Sequence, residues 1–193
     1  MKRFGLSLTL GGGEVRLLDL TSAFGAFATG GYRSEPVSIL SVIDAKGKKA
    51  YEYKRNEPKR VLPADIAFLI SDILSDNDAR KDTFGAVSKL VIPGHTVAVK
   101  TGTTDDKRDN WTVGYTPSVV TGVWVGNNDN SVMDPRLASG ITGAAPIWNR
   151  IMLEVLKNSK KDEPFIKPDS IVEMEIDALG GGLPKDGQGK RKE

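Results

Sequence analysis

The stretch HTVAVKTGTTDDKRDNWTVGYTP, residues 95–117, decides how the rest of the chain is read. Its first part, Thr96-Val97-Ala98-Val99, is apolar and rich in β-branched residues, and it ends on Lys100-Thr101-Gly102-Thr103. A burst of charge from Asp105 to Asp109 separates it from a second apolar run, Trp111 to Tyr115. Two such runs around a polar loop predict a hairpin. A third run, Val119 to Val125, is almost continuously apolar, as expected of a strand covered on both faces. The expected strands are therefore 96–101, 111–115 and 119–125. Side chains alternate along a strand, which places Thr101 and Thr103 on one face and Lys100 and Gly102 on the other. Two hydroxyls near an ammonium make a good seat for a carboxylate, and a glycine lets a second backbone lie close along the strand edge.

Outward from this hairpin the pattern turns helical. In EVRLLDLTSAFGAFA, Val15, Leu18, Ala23, Phe24 and Phe27 fall near helical spacing, and Gly30-Gly31 supplies a stop. VSILSVIDAKGKKAYEY reads as a second hairpin turning at Ala45-Lys46-Gly47-Lys48. LPADIAFLISDILSDN opens with Pro63 and Asp65 and repeats Ile66, Leu69, Ile70, Ile73 and Leu74, a second amphipathic helix. GAAPIWNRIMLEVLK is a third, with Pro146 in its first turn. Residues 1–157 thus read as one core-forming unit. From Asn158 the composition shifts to Lys, Asp, Pro and Gly, so 158–193 is expected to be a mobile tail or linker with a strand-like island at 171–176.

Composition removes several classes of function. The 193 residues, 39% hydrophobic and 27% charged, suffice for one ordinary core. With 27 basic and 25 acidic residues the formal charge is +2, which gives no ground for a nucleic-acid or membrane surface. The absence of cysteine excludes disulfides, thiol catalysis and Cys-ligated zinc, and a single histidine, His95, excludes His-pair metal sites. No cofactor or metal is expected. The opening MKRFGLSLTLGGGE has only a short, glycine-interrupted apolar run, so neither a signal peptide nor a membrane helix is expected there.

Gly94 and Lys100-Thr101 have the spacing of a phosphate-binding loop, but Val99 stands where the second glycine must be, within a β-branched strand that cannot turn its N–H groups inward. The run Gly11 to Gly13 lacks the spaced glycines of a dinucleotide fingerprint, and Glu14 would repel a phosphate. Ser75-Asp76-Asn77 is read as the polar end of the second helix. The cluster Asp105 to Asp109 is read as a solvated hairpin loop that borders the cleft.

VAVKTGTTDDKRDNWTVGYTP followed by VVTGVWVGNND resembles the Lys-Thr-Gly strand and following hairpin of the transpeptidase domain of bifunctional, class A penicillin-binding proteins. GLSLTLGGGEVRLLDLTSAFGAFATGGYR, ASGITGAAPIWNRIM and PDSIVEMEIDALGGGLP resemble successive parts of the same domain's C-terminal half. The resemblance implies an α+β, serine β-lactamase-like fold, an antiparallel sheet flanked by helices, of which this chain is a part. It also implies acyl transfer on the D-Ala-D-Ala end of a peptidoglycan stem peptide, blocked by β-lactams, on the outer face of the cytoplasmic membrane. In that scheme Lys100 lends positive charge and helps proton movement, Thr101 and Thr103 hold the substrate carboxylate, Gly102 admits the substrate, and the Thr103 N–H is half of an oxyanion hole. Trp111, Gly114 and Tyr115 are expected to support the strand. No serine in the chain has a lysine three residues on, so the Ser-x-x-Lys nucleophile of the family is not in this sequence. The expected partner is therefore the rest of the domain, whose place an exposed apolar face should mark; the alternative is a non-catalytic half-domain that completes or binds another chain.

Overall fold

Three antiparallel strands form the centre of the computed structural model, which describes residues 5–137, 139–159, 161–177, 182–183 and 190–192. They are β5 (Ala98–Thr103), β6 (Asp109–Tyr115) and β7 (Val120–Gly126), in that spatial order. The register pairs Thr101 with Thr112, Gly102 with Trp111, and Val113 with Gly122. All three lie within two residues of the expected positions. The expected start of the first strand, Thr96, is instead held by Asp162, which accepts from Thr96 N and Oγ1 at 2.6 Å each, so the ladder begins at Ala98.

Helices cover the sheet on both faces. On one side lies α4 (Ala144–Leu156), whose Ala144, Ala145, Trp148, Met152 and Leu156 pack with Val97, Val99 and Val123. Gly114 is what lets them approach: a Cβ there would lie 2.4 Å from Trp148 Cζ2 and 3.0 Å from Ala98 O. On the other side lie α1 (Leu17–Ala28) and α2 (Ala64–Ser75), whose Phe24, Phe27, Ala28 and Leu74 pack around Ala98 and Tyr115. Tyr115 is fully buried, and its hydroxyl meets Ser71 Oγ at 3.1 Å. Burial pushes its phenol up to about 12, against a smaller opposing pull from the Ser71 hydrogen bond.

The element boundaries follow local chemistry. Gly30 and Gly31, at φ 67° and 100°, end α1 in a Schellman turn, with Gly31 N donating to Ala26 O at 2.7 Å and Gly30 N to Phe27 O at 3.1 Å. Beyond α1 lie the two-residue strand β1 (Tyr32–Arg33), the hairpin β2 (Ser41–Ile43) and β3 (Lys49–Glu52), and β4 (Lys59–Arg60), which pairs with β1. Ser75-Asp76-Asn77 is a junction: α2 ends at Ser75, and the Asp76 carboxylate accepts from Ala79 N at 2.8 Å to cap α3 (Asn77–Phe84). The sequence pattern gave no sign of α3, because NDARKDTF has no apolar stripe.

After α4 the chain returns to the sheet. Glu163 accepts from Ser118 Oγ at 2.6 Å, and the Phe165 ring meets Tyr115 edge-on with centroids 5.6 Å apart. Within the expected island at 171–176 only part is strand: β8 (Glu175–Asp177) pairs with β9 (Lys190–Lys192). Ile147, Ile151 and Val155 on α4 and Ile66, Leu69 and Ile73 on α2 are exposed, each with at least 40% of its surface accessible. Among the described residues no helix is long and apolar enough to cross a membrane.

Candidate active site

Lys100, Thr101, Gly102 and Thr103 occupy the last four positions of β5, an edge strand of the three-stranded sheet. Lys100-Thr101 therefore lies inside a strand rather than at a helix start, where a phosphate cradle would need it. The register confirms the alternation read from the sequence. Thr101 and Thr103 face the α4 side opposite Thr112 and Asn110, and Lys100 and Gly102 face the other way opposite Val113 and Trp111.

The backbone of this edge has a defined polarity. Thr104 N donates across the hairpin to Asp109 O at 3.1 Å, and successive backbone groups of an antiparallel strand alternate sides. The N–H and C=O of Val99, Thr101 and Thr103 therefore point outward. Two of these carbonyls are engaged: Arg80 of α3 donates to Val99 O at 3.4 Å, and Lys100 Nζ folds back onto Thr101 O at 2.5 Å. Desolvation lowers the half-buried Arg80 guanidinium from its ordinary value, against the pull of Asp76. Among the described residues, no hydrogen bond claims the outward N–H and C=O of Thr103.

Glycine at 102 is not required by the packing around it. A Cβ built there would meet Trp111 Cβ at 3.6 Å, an ordinary contact. Beside it Trp111 and Trp124 form an edge-on pair, centroids 6.5 Å apart, and both indole N–H groups donate to the Asp109 carboxylate, at 3.2 and 2.9 Å.

The charged loop after β5 is more ordered than a solvated turn requires. Asp106 and Lys107 sit at φ 59° and 55°, Arg108 Nη1 donates to Asn130 O at 2.6 Å, and Met133 N donates to Lys107 O at 3.1 Å. A second loop, 127–134, thus braces the exit of β5. Asn110, fully buried, binds the segment before α4: its Nδ2 donates to Leu137 O at 2.7 Å, and its Oδ1 accepts from Ala144 N at 2.8 Å. Sequence reasoning missed Arg80, Asn110 and Gly140, and it read Asp109 as part of a solvated loop rather than as the acceptor for Trp111 and Trp124. The cluster of small residues in ASGITGAAP was the available signal of a close approach.

The description "Penicillin binding protein transpeptidase domain" matches residues 5–153. The chain is 34% identical over 166 residues to a penicillin-binding protein 1A of Aquifex aeolicus, covering 86% of this chain and 22% of that protein. It is 28% identical over 216 residues to a penicillin-binding protein 1A of Rickettsia bellii, covering 97% of this chain and 27% of that one. The chain thus spans about a quarter of the length of these relatives. The crystal structure of penicillin-binding protein 1A from Haemophilus influenzae superposes with a TM-score of 0.77 at 23% identity, over 96% of this chain and 33% of that one. That similarity carries the fold, an antiparallel sheet flanked by helices.

Proposed function

Because this chain belongs to the penicillin-binding protein transpeptidase family, we propose that the full-length protein containing it cross-links peptidoglycan by serine acyl transfer. A serine outside this chain attacks the carbonyl of the terminal D-Ala-D-Ala amide; the C–N bond breaks and D-alanine leaves with a proton. The amine of a neighbouring stem peptide then attacks the acyl-serine, forms the new amide and returns the proton to the serine oxygen. β-Lactams acylate the same serine by ring opening. Residues 1–157 are the C-terminal portion of the transpeptidase domain, and 158–193 form a tail tied back through Asp162, Glu163 and Phe165. The rest of the domain covers the exposed apolar row of α4. The site of action is the cell envelope, on the outer face of the cytoplasmic membrane.

The single observation that carries this reading is the end of β5: an edge strand with an outward Thr103 N–H, two threonine hydroxyls on one face, and Lys100 and an unfilled glycine position on the other. The Thr103 N–H supplies one oxyanion donor, a group worth about 2.7–4 kcal/mol in kcat. Lys100 supplies positive charge near the leaving group, and Thr101 and Thr103 donate to the substrate carboxylate.

The test is intact mass after exposure to benzylpenicillin. The 193-residue chain alone should take up no drug, and the full-length protein should gain one per chain. Lys100→Ala in the full-length protein should slow acylation by at least a hundredfold without lowering the melting temperature. A full-length protein that takes up no drug would refute the acyl-transfer reading.

A further inference from the structure

One face of the Lys-Thr-Gly-Thr strand is held from behind by the loop that precedes α4. Gly140 is buried, and its N–H donates to Thr103 Oγ1 at 3.0 Å. Its carbonyl accepts from Thr112 Oγ1 at 3.3 Å and from Ala145 N at 2.8 Å. A Cβ at 140 would stand 2.9 Å from Thr101 Cβ, 3.0 Å from Trp111 O and 3.1 Å from Gly102 O, so only glycine brings this backbone against the strand. Behind Gly140 the loop is pinned at both ends by Asn110, through Leu137 O and Ala144 N. Ser139 and Thr142 close it into a turn, with Thr142 N donating to Ser139 O at 3.1 Å and Gly143 N at 2.9 Å.

A threonine hydroxyl has one hydrogen to give and two lone pairs to receive. Gly140 fills one lone pair from the sheet's interior side, which fixes the side-chain rotamer and leaves the hydroxyl hydrogen for an acceptor elsewhere. Donation into a hydroxyl oxygen also polarises its O–H and strengthens it as a donor. Thr103 is exposed, and among the described residues Gly140 N is the hydrogen-bond partner of its hydroxyl. We propose that Gly140 is a positioning residue, held by Asn110 and Thr112, which aims the Thr103 hydroxyl as a preset donor toward the substrate carboxylate. This rests on the acyl-transfer reading above and adds to it a specificity device: discrimination in favour of an anionic acyl donor is set by a loop that never touches the donor.

The test compares acylation of the full-length protein by benzylpenicillin and by its methyl ester, which differ only in the carboxylate. Wild type should prefer the acid. Thr103→Val should abolish most of that preference, and Thr103→Ser should retain it. Gly140→Ala should reduce the acid-to-ester ratio about tenfold, the equivalent of one charge-assisted hydrogen bond misaligned. Thr112→Val, which removes one bond to the Gly140 carbonyl while conserving volume, should reduce it about threefold. If the melting temperature of Gly140→Ala collapses, Thr112→Val decides the matter. An equal loss of acid and ester reactivity would assign the loop a structural role only, and an unchanged ratio would remove it from the site; either overturns the proposal. Wild type inert to both probes would instead refute the acyl-transfer reading, and this inference with it.

Discussion

Alanine at Gly102 and alanine at Gly114 should have opposite consequences, although the two glycines lie on adjacent strands of one sheet. At Gly102 the added Cβ meets Trp111 Cβ at 3.6 Å and nothing nearer, and the backbone is not in the left-handed region. The folded state therefore loses no packing, while the unfolded chain loses freedom, so stability should hold or rise by about 0.4–1 kcal/mol. The methyl group fills the space through which a second backbone would approach the edge. Losing one or two backbone hydrogen bonds to that ligand, each worth about 0.5–1.5 kcal/mol, should slow acylation of the full-length protein by about two- to 150-fold. At Gly114 the added Cβ would lie 2.4 Å from Trp148 Cζ2, 2.8 Å from Cε2 and 3.0 Å from the backbone of Ala98. Trp148 is fully buried, so relief requires α4 to shift off the sheet. Overpacking of this kind costs about 1–3 kcal/mol, and the backbone contact puts it at the upper end. The melting temperature should fall by roughly 6–12 °C. Urea unfolding of both variants and penicillin acylation of the full-length protein measure the two axes separately. A Gly102→Ala protein destabilised by more than about 1 kcal/mol, or acylated at the wild-type rate, would refute the assignment of that glycine to the ligand; on the stability axis the variant is expected to match or exceed wild type.

Two further changes probe the supports of the site. Tyr115 holds its proton up to about pH 12 in the fold but only to about 10 when unfolded, so its contribution is complete below pH 10 and is lost as the pH rises to about 12, an effect of about 3 kcal/mol. Tyr115→Phe should cost about 1 kcal/mol at pH 7 through the lost Ser71 contact and should lack this alkaline decline; parallel urea midpoints for both proteins from pH 7 to 11 would contradict it. Asp109→Asn leaves one acceptor for two indole N–H groups, so stability should fall by about 1–2 kcal/mol with a shift in tryptophan emission, and an unchanged spectrum would dismiss the clamp.

The strands and α4 were legible because each carries a periodic apolar face that packs in the core, and α2 because it carries a periodic apolar row, although Ile66, Leu69 and Ile73 of that row stay exposed. Val97 and Val99 alternate with Ala98, and Ala144, Trp148, Met152 and Leu156 recur at helical spacing. What the sequence concealed depends on polar contacts between distant residues. α3 is held by the Asp76 cap and by Arg80 reaching Leu74 O and Val99 O, none of which leaves a hydrophobic signature. The same holds at the site. Lys100-Thr101-Gly102-Thr103 stands out as a motif, but the Gly140 N–H that grips Thr103 comes 37 residues later, from a stretch whose only mark is its small residues. The start of β5 moved for a similar reason, since Thr96 trades its ladder position for Asp162 of the returning tail.

The edge of β5 presents a problem that its own neighbours solve. An unpaired strand edge invites any extended chain to add to it, and proteins blunt such edges with cations. Here Arg80 takes Val99 O and Lys100 takes Thr101 O, which leaves Thr103 as the outward residue with its backbone groups unclaimed among the described residues. An extended peptide that docks on this edge therefore finds a free donor and a free acceptor together at Thr103 alone among the outward residues Val99, Thr101 and Thr103, rather than all along the strand. A ligand held so briefly by its backbone must gain the rest of its affinity from its terminus, and the groups nearest the window, two threonine hydroxyls and an ammonium, are those that recognise a terminal carboxylate. The same cations that protect the edge from indiscriminate pairing thus make it a site for chain ends.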